Sequence, residues 1–267
     1  MSKKKIVEFS RYPVAFVALF VQIFLIITMF LYASLAFTPV GAGVTEQARL
    51  LGATIVYGFV IGLFLSFTLW EIGFSIREEQ TRGTLETLYL SPASKLGSLV
   101  ARVFAILLWV GILSVFAILF VGSVVGGLPI ANAGLALVVL LFAISGFLGL
   151  AFIFAGVTIR LKETAQFLVS FLQFFFMIFS AQFFPFRALE NVSPLIVNGV
   201  SRWLPVSYCV DVFRSLLIGA AEPELHLGYS AEILIVVLFG LISPIVGYWA
   251  YKRIEKSART QGTLGEY

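Results

Sequence analysis

The sequence predicts an all-α, polytopic integral membrane protein with six transmembrane helices. Composition is the first reason, because 60% of the 267 residues are hydrophobic, only 12% are charged, and the mean hydropathy is +1.02. A chain of this composition has too little polar surface to cover a water-soluble globule, which excludes a soluble enzyme. The second reason is the length of the apolar runs, and the third is the distribution of the basic residues.

Six apolar runs are long enough to cross a bilayer, since a helix needs about 20 residues to span the hydrocarbon core. They lie at about 14–36, 50–74, 98–121, 133–158, 165–183 and 232–251. The first run is longer than the apolar part of a signal peptide, so we expect it to remain as a span. The chain length leaves room for a single membrane domain, residues 1–267, and for no large domain outside the bilayer.

The basic residues predict that both termini lie on the cytoplasmic side of a cell (plasma) membrane. Six spans put both ends on one side, and Lys and Arg concentrate in cytoplasmic segments. Fourteen of the 18 basic residues fall in the termini and in the second and fourth connections, whereas Arg49, Arg187, Arg202 and Arg214 fall on the other side. The net charge of +4 then reflects topology, and we expect no nucleic-acid partner.

Small residues four positions apart predict close packing of helices in lipid. They recur in three of the spans, as Gly58, Gly62 and Ser66, as Gly122 and Gly126, and as Ser145 and Gly149. We expect each set to pack within one subunit rather than to form a seam between two subunits. Pro244 inside the sixth span predicts a kink.

The second connection is the only cytoplasmic segment polar enough to form a structure of its own. Ser75 and Glu78 match a capping box, and Arg82 and Glu86 form an i,i+4 pair, which predicts a short helix at about 78–90. A short amphipathic helix between two spans often lies on lipid headgroups. From 77 to 86, however, two Arg stand against three Glu, and this mixed charge favours a protein partner over an anionic membrane surface.

The same segment carries a resemblance to a known family. Residues 78–92, Glu-Glu-Gln-Thr-Arg-Gly-Thr-Leu-Glu-Thr-Leu-Tyr-Leu-Ser-Pro, resemble the cytoplasmic motif of type-2 ATP-binding-cassette (ABC) export permeases. Residues 204–219, Leu-Pro-Val-Ser-Tyr-Cys-Val-Asp-Val-Phe-Arg-Ser-Leu-Leu-Ile-Gly, are similar to the segment that precedes the last span in that family. Span number, orientation and the positions of both motifs agree, so the resemblance covers essentially the whole chain.

The resemblance implies a permease subunit that is not itself an enzyme. In such a subunit a coupling helix docks into a cleft of a separate ATPase (nucleotide-binding) subunit, with Arg82, Glu86 and Glu79 as polar contacts and Leu85 and Leu88 as the apolar anchor. The residues that it implies at this contact are Glu78, Glu79, Arg82, Gly83, Thr84, Leu85, Glu86 and Leu88. A second permease, identical or homologous, would complete the transport path.

No cofactor site is expected in this chain. The sequence contains no Gly-Lys dipeptide and therefore no phosphate-binding loop, so ATP and Mg²⁺ would be bound by the partner subunit. Its single cysteine, Cys209, and single histidine, His226, exclude multi-cysteine and paired-histidine metal sites. No metal site is predicted.

The fifth span carries a polar stripe that is a candidate wall of the transport path. Polar groups facing lipid find no partner, so the stripe should face protein or substrate, and a seam of hydrogen bonds between helices explains it equally well. Neighbouring phenylalanines at 174–176 and 183–184 suggest a hydrophobic gate. The path candidates are Gln166, Ser170, Gln173, Phe174, Met177 and Ser180.

The segment at about 184–231 is too polar to span and too apolar for a free loop. It predicts short extracellular re-entrant helices before the last span. Asp211 and Arg214, three residues apart, are expected to form a structural ion pair there in preference to a substrate site.

Two other functions remain open from the sequence. An ion-gradient-coupled secondary transporter or channel usually places ionisable residues at mid-membrane, and the spans here lack them. An intramembrane lipid-modifying enzyme needs an acid–base pair or nucleophile in one pocket, for which His226 in the outer loop is a weak candidate. The aromatic, uncharged path favours a hydrophobic or amphipathic cargo such as a drug, a lipid or a lipid-linked glycan.

Overall fold

The computed structural model describes residues 13–35, 46–73, 95–161 and 164–260, and every regular element in these ranges is helical. The predicted all-α class is therefore confirmed. A 3₁₀ turn at Ser201–Trp203 lies between the helices Pro194–Gly199 and Pro205–Ile218. The α-helices are, in order, α1 Pro13–Leu35, α2 Glu46–Gly73, α3 Lys95–Val125, α4 Ala133–Leu161, α5 Ala165–Phe179, α6 Phe186–Val192, α7 Pro194–Gly199, α8 Pro205–Ile218 and α9 Tyr229–Thr260.

Four helices of the described chain are long and apolar enough to cross a membrane. They contain Glu46–Ile72, Leu107–Val125, Ala133–Thr158 and Tyr229–Ser257, which match the second, third, fourth and sixth predicted spans. Shorter apolar stretches, Phe20–Tyr32 and Gln166–Phe179, lie in α1 and α5. The membrane character of the chain follows from these helices, while the count of six spans stays a prediction.

Helix α2 forms the centre of the described structure. It packs against α1, α3, α4, α5 and α8, and 78% of its most apolar 18-residue stretch is buried in the protein. Its first turn is fixed to the connection between α3 and α4, where Arg49 Nε donates to the carbonyl of Gly127 at 2.9 Å. The hydroxyl of Tyr57, about two turns further along α2, donates to the carbonyl of Pro129. Any displacement of α2 therefore changes its contacts with most of the other helices.

The most extensive helix pair is α4 with α9. A Cβ added at Gly149 would overlap the backbone of Ser243, and one added at Gly247 would overlap the backbone of Gly149, so the two backbones touch. The hydroxyl of Ser145 donates to the carbonyl of Gly240 at 2.7 Å, and Ser243 donates back to Gly146 at 2.9 Å. The prediction that Ser145 and Gly149 pack within the subunit is confirmed.

Pro244 explains one of these hydrogen bonds. Helix α9 continues through this proline, which has no N–H to give to the carbonyl four residues earlier. That carbonyl belongs to Gly240, and it accepts instead from Ser145 of α4. A neighbouring helix thus satisfies the backbone group that the proline leaves without its helical partner, as membrane helices require.

The other two small-residue sets have different roles. Gly58 and Gly62 leave room for the turn after α5, because a Cβ at either position would overlap Gln182, and one at Gly58 would also meet the guanidinium of Arg214. The prediction of a packing face at Gly122 and Gly126 is wrong. Gly126 adopts a left-handed φ of 76°, and the N–H of Gly127 donates to the carbonyl of Gly122 at 2.7 Å, so the pair ends α3.

Candidate functional site

Helix α5 is shorter than the predicted span at 165–183. Its 15 residues end at Phe179 and cover roughly 22 Å, less than the ~30 Å of a typical hydrocarbon core. Ser180 caps the helix, and the chain then turns at Ala181, whose φ of 49° is positive and costly for a residue with a Cβ. We call residues 180–185 the α5 break.

The α5 break is enclosed by protein. Ser180, Ala181, Gln182 and Phe183 are all buried, with 0–7% of each residue exposed. The ring of Phe183 stacks on Phe30 of α1 with centroids 3.9 Å apart. Backbone that leaves a helix at membrane depth must be buried, because lipid offers no hydrogen-bond partner, and this segment meets that requirement.

Arg214 of α8 supplies the polar partners of the α5 break. Only 1% of this residue is exposed. Its Nη2 donates to the carbonyl of Ala181 at 2.6 Å, and its Nη1 donates to that of Phe184 at 3.3 Å. Burial lowers the pKa of the guanidinium, and the carboxylates of Glu224 and Asp211 oppose that shift. An arginine suits this position because its fork of donors reaches two carbonyls at once.

Glu224 neutralises Arg214, and we call these two side chains together with the carbonyls of Ala181 and Phe184 the Arg214 network. Its Oε2 lies 3.9 Å from Nη1 of Arg214, and the same oxygen accepts from the N–H of Phe186, the first residue of α6. One carboxylate therefore joins three segments: the start of α6, helix α8 and the loop that leads to α9. Paired and hydrogen-bonded in this way, a buried arginine is tolerated.

Asp211 of α8 is hydrogen-bonded to the loop that leads to α9. Its carboxylate accepts from the backbone N–H groups of Glu224 at 3.1 Å and Leu225 at 2.7 Å, and from the hydroxyl of Ser215 at 3.3 Å. Burial raises the pKa of Asp211, while the two backbone N–H groups and the charge of Arg214 oppose the rise. The direct partners of Asp211 and Arg214 thus differ, and the ion pair between them stays a prediction.

The polar stripe of α5 is divided between the surface and the helix contacts. Gln166 is exposed, Ser170, Gln173 and Met177 are half-buried, and Ser180 is fully buried in the α5 break. Gln173 accepts a hydrogen bond of 3.0 Å from Nε1 of Trp70 on α2. That bond is the kind expected of a seam between helices, although it leaves the rest of the stripe available to a path.

The phenylalanines of α5 also separate into two groups. Phe174 is 59% exposed, and Phe167, Phe171 and Ile178 are exposed on the same side of the helix, whereas Phe176 is buried at 8%. Phe175 packs on Phe179 with ring centroids 4.6 Å apart. The exposed group forms an apolar face beside the polar stripe, so α5 presents both kinds of surface outward.

The residues of the predicted coupling helix lie outside the described part of the chain. This applies to Glu78, Glu79, Arg82, Gly83, Thr84, Leu85, Glu86 and Leu88. The described chain stops at Gly73, the end of α2, and resumes at Lys95, the start of α3. Along the chain, the segment between these two residues connects α2 to α3.

Three partners in this site were missed by the sequence interpretation. Trp70 carries a polar N–H in an otherwise apolar span, and that composition is a usable signal for a partner on another helix. Gln182 and Glu224 gave no local signal, because their partners lie far away in the chain.

The structure offers little support for catalysis by the residues that a lipid-modifying enzyme would use. Burial raises the pKa of the Cys209 thiol, which keeps it protonated and unreactive. His226 is exposed in the loop before α9 and has a φ of 60°. Among the described residues no group of three His, Cys, Asp or Glu side chains is arranged to hold a metal ion.

Comparison with protein families gives the identity of the fold. A model described as "ABC-2 family transporter protein" matches residues 42–249, which include α2 to α8 and most of α9. A search of curated proteins finds no match. The family match covers well over half of the chain and includes both the α5 break and the Arg214 network. The chain therefore belongs to the ABC-2 family of transporter membrane proteins.

Proposed function

We propose that this chain is the permease subunit of an ABC exporter for a hydrophobic or amphipathic substrate. Membership of the family makes it a membrane transport subunit and not itself an enzyme. In the proposed complex two permeases, identical or homologous, pair with ABC ATPase subunits that bind ATP and Mg²⁺. Each permease crosses the plasma membrane six times with both termini in the cytoplasm, and short re-entrant helices precede the last span.

The family match over residues 42–249 is the observation that carries this proposal. The position of α2 supports it as well. This helix ends at Gly73, shortly before the predicted coupling helix at about 78–90, and it packs against five other helices and against the α5 break. A displacement of the predicted coupling helix would thus be transmitted to the rest of the subunit through α2. Alternating access requires such a transmission from the ATPase to the transport path.

The proposed substrate class rests on the outward surface of α5. Its exposed side chains are Phe167, Phe171, Phe174 and Ile178, beside the polar Gln166 and Ser170. Such a surface suits a molecule with both apolar and hydrogen-bonding parts, and it offers no cation to an anionic cargo. Mass spectrometry of molecules that co-purify with the detergent-extracted complex should identify lipid-like compounds. Recovery of only small, soluble ions would contradict the proposed class.

The coupling segment is tested by exchanging its charges. In the double variant Arg82→Glu with Glu86→Arg the i,i+4 pair is kept, so the segment can still form its helix, but each charge meets the wrong group on the ATPase. We expect ATP-driven transport of a fluorescent lipid into inverted vesicles to be lost, together with co-purification of the ATPase subunit. Membrane insertion should stay at the wild-type level.

The matched control is Glu222→Lys, a charge reversal at an exposed residue of the outer loop. It should leave ATP-driven transport and co-purification unchanged. Normal transport in the exchanged double variant would contradict docking through this segment. Transport that needs an ion gradient but no ATPase would favour a secondary transporter instead.

A further inference from the structure

The segment between the α5 break and α8 exposes unusually apolar side chains. Val192, Leu195 and Trp203 are 85%, 84% and 81% exposed, the highest values among the large hydrophobic residues of the described chain. They belong to α6, α7 and the 3₁₀ turn, which are outside the four candidate spans and outside the shorter apolar stretches. We call Val192, Leu195 and Trp203 the outer apolar patch.

The outer apolar patch is one side of a structured, two-sided layer. Helix α6 packs on α7, and α7 packs on the 3₁₀ turn. The opposite side of each element is buried against the protein, at Phe186 of α6, Val197 of α7 and Ser201 of the 3₁₀ turn. An exposed apolar side on a segment already anchored from below requires a further apolar medium to cover it.

Two cations flank the outer apolar patch. Arg187 and Arg202 are both exposed, at the start of α6 and within the 3₁₀ turn, and Glu190 is the one acidic residue between them. Tryptophan, arginine and aliphatic side chains in one short segment are the composition of a membrane–water interface. There the indole and the aliphatic groups enter the acyl boundary, while guanidinium groups stay among the phosphates.

Along the chain this segment connects apolar helices, and such a connection is expected at the edge of a bilayer. It follows α5, an apolar helix, and it precedes α8 and the candidate span in α9. Helix α8 is the contrasting case, since every residue from Val206 to Leu217 is buried in protein. Between α5 and α9 the chain thus forms one helix that the protein covers, α8, and three elements with an exposed apolar side, α6, α7 and the 3₁₀ turn.

We propose that α6, α7 and the 3₁₀ turn, which belong to the predicted re-entrant region, lie in the outer interface, with the outer apolar patch in lipid and Arg187 and Arg202 on lipid phosphates. The proposal rests on the membrane placement of the chain and not on any ATPase or substrate. A second copy of the chain is a poorer occupant, because a self-complementary contact would bring four exposed guanidinium groups together. Lipid phosphate, in contrast, complements them.

The position of the outer apolar patch is tested with a nitroxide label at Leu195→Cys in phosphatidylcholine vesicles. Cys209 is fully buried, so the parent chain supplies the unlabelled background. A label at Leu241→Cys, on the exposed side of α9, marks lipid, and a label at Ala221→Cys, exposed in the outer loop, marks water. We expect the ratio of oxygen to nickel-chelate accessibility at 195 to approach that at 241 and to exceed that at 221.

Two results would overturn the proposal. A ratio at 195 equal to that at 221 would place the outer apolar patch in water. Spectral broadening that disappears when labelled chains are diluted with unlabelled ones would place it against a second copy of the chain.

The arginines are tested by adding anionic phosphatidylglycerol to the vesicles and measuring the thermal midpoint. The wild-type midpoint should rise, and the rise should be lost in Arg187→Gln with Arg202→Gln but kept in the control Glu190→Gln. An equal rise in all three chains would overturn the assignment of the arginines to phosphates. Because none of these measurements involves ATP or cargo, their failure would leave the transport function untouched.

Discussion

Two regions of this permease are built on opposite principles. The α4–α9 pair is a backbone contact, in which Gly149 touches Ser243 and Gly247 and two serine hydroxyls bond across the interface. The α5 break is held mainly by two side chains: Arg214, which comes from α8, and its own Gln182, which lies against α2. Helix α5 itself makes few contacts with α2 and α4.

This difference indicates which part of the subunit is a scaffold and which part is free to move. Backbones in contact over several turns cannot slide without clashes, because packed interfaces have discrete arrangements. A helix joined to its neighbours by hydrogen bonds from Trp70 and Ser207, and by a guanidinium just past its end, can be released by breaking those few contacts. We infer that α4 and α9 move as one body and that α5 is the element whose position changes.

The largest expected effect is on the α5 break, in Arg214→Met. The substitution keeps the volume but leaves the Ala181 and Phe184 carbonyls and the Glu224 carboxylate without their cation. Removing one partner of a buried ion pair typically costs about 3–5 kcal/mol. We expect a corresponding loss in the free energy of unfolding, measured by thermal or denaturant unfolding of the purified subunit in detergent.

Arg202→Met is the matched control, because that side chain is exposed and the substitution leaves in place the backbone carbonyl that accepts from Tyr208 at 2.7 Å. It should change the free energy of unfolding by no more than about 0.5 kcal/mol. Arg214→Lys, which keeps the charge but not the fork of donors, should fall between the two. Equal stability of Arg214→Met and Arg202→Met would show that the network around the α5 break contributes little.

A smaller effect is expected when the α4–α9 pair is forced apart by Gly149→Leu. A side chain at this position meets backbone atoms of Ser243, which cannot swing away as a flexible side chain would. Overpacking of this kind costs roughly 3 kcal/mol. The measurement is again the free energy of unfolding, supported by the oligomeric homogeneity of the subunit on size-exclusion chromatography.

Gly111→Leu gives the control on α3, where an added Cβ would meet no atom within 4 Å. Since leucine has the higher helix propensity, this variant should be neutral or slightly stabilised. A Gly149→Leu subunit as stable as Gly111→Leu would mean that the α4–α9 backbones are not in the close contact described above.

Much of the scaffold could be predicted from the sequence, because it depends on local patterns. Long apolar runs predicted four of the spans, most of their ends within a few residues, although the third candidate span begins later than predicted. The small residues at 145 and 149 predicted the close contact between α4 and α9. The same reasoning failed at Gly122 and Gly126, where left-handed backbone at the end of α3 explains the glycines better. Sequence spacing alone does not separate a packing glycine from a capping one.

The α5 break could not be predicted in this way, because its contacts join residues far apart in the chain. The apolar run continues to 183, yet the helix ends at Phe179. The chain can leave the helix there because Arg214 donates to the carbonyl of Ala181 and because Gln182 packs against the glycines of α2. Likewise Asp211 and Arg214 sit one turn apart on α8, but their partners outside α8 lie in the loop before α9 and in the α5 break. Proximity along a helix is a weaker guide than the demand of buried backbone for donors and acceptors.

The smallest effect, and the one that best separates the two meanings of the polar stripe, comes from the Gln173–Trp70 hydrogen bond. We expect Gln173→Leu and Trp70→Phe each to destabilise the subunit. In the double variant, a coupling free energy of about 0.6 kcal/mol would match hydrogen bonds between other membrane helices.

Ser170→Ala combined with Trp70→Phe is the control and should be additive, since Ser170 lies one turn away on the same stripe. If the coupling between 173 and 70 is also zero, the bond does not hold α5 to α2, and the whole stripe becomes a better candidate for the transport path. A clear coupling at 173 with additivity at 170 would instead divide α5 into a half that packs and a half that is open to substrate.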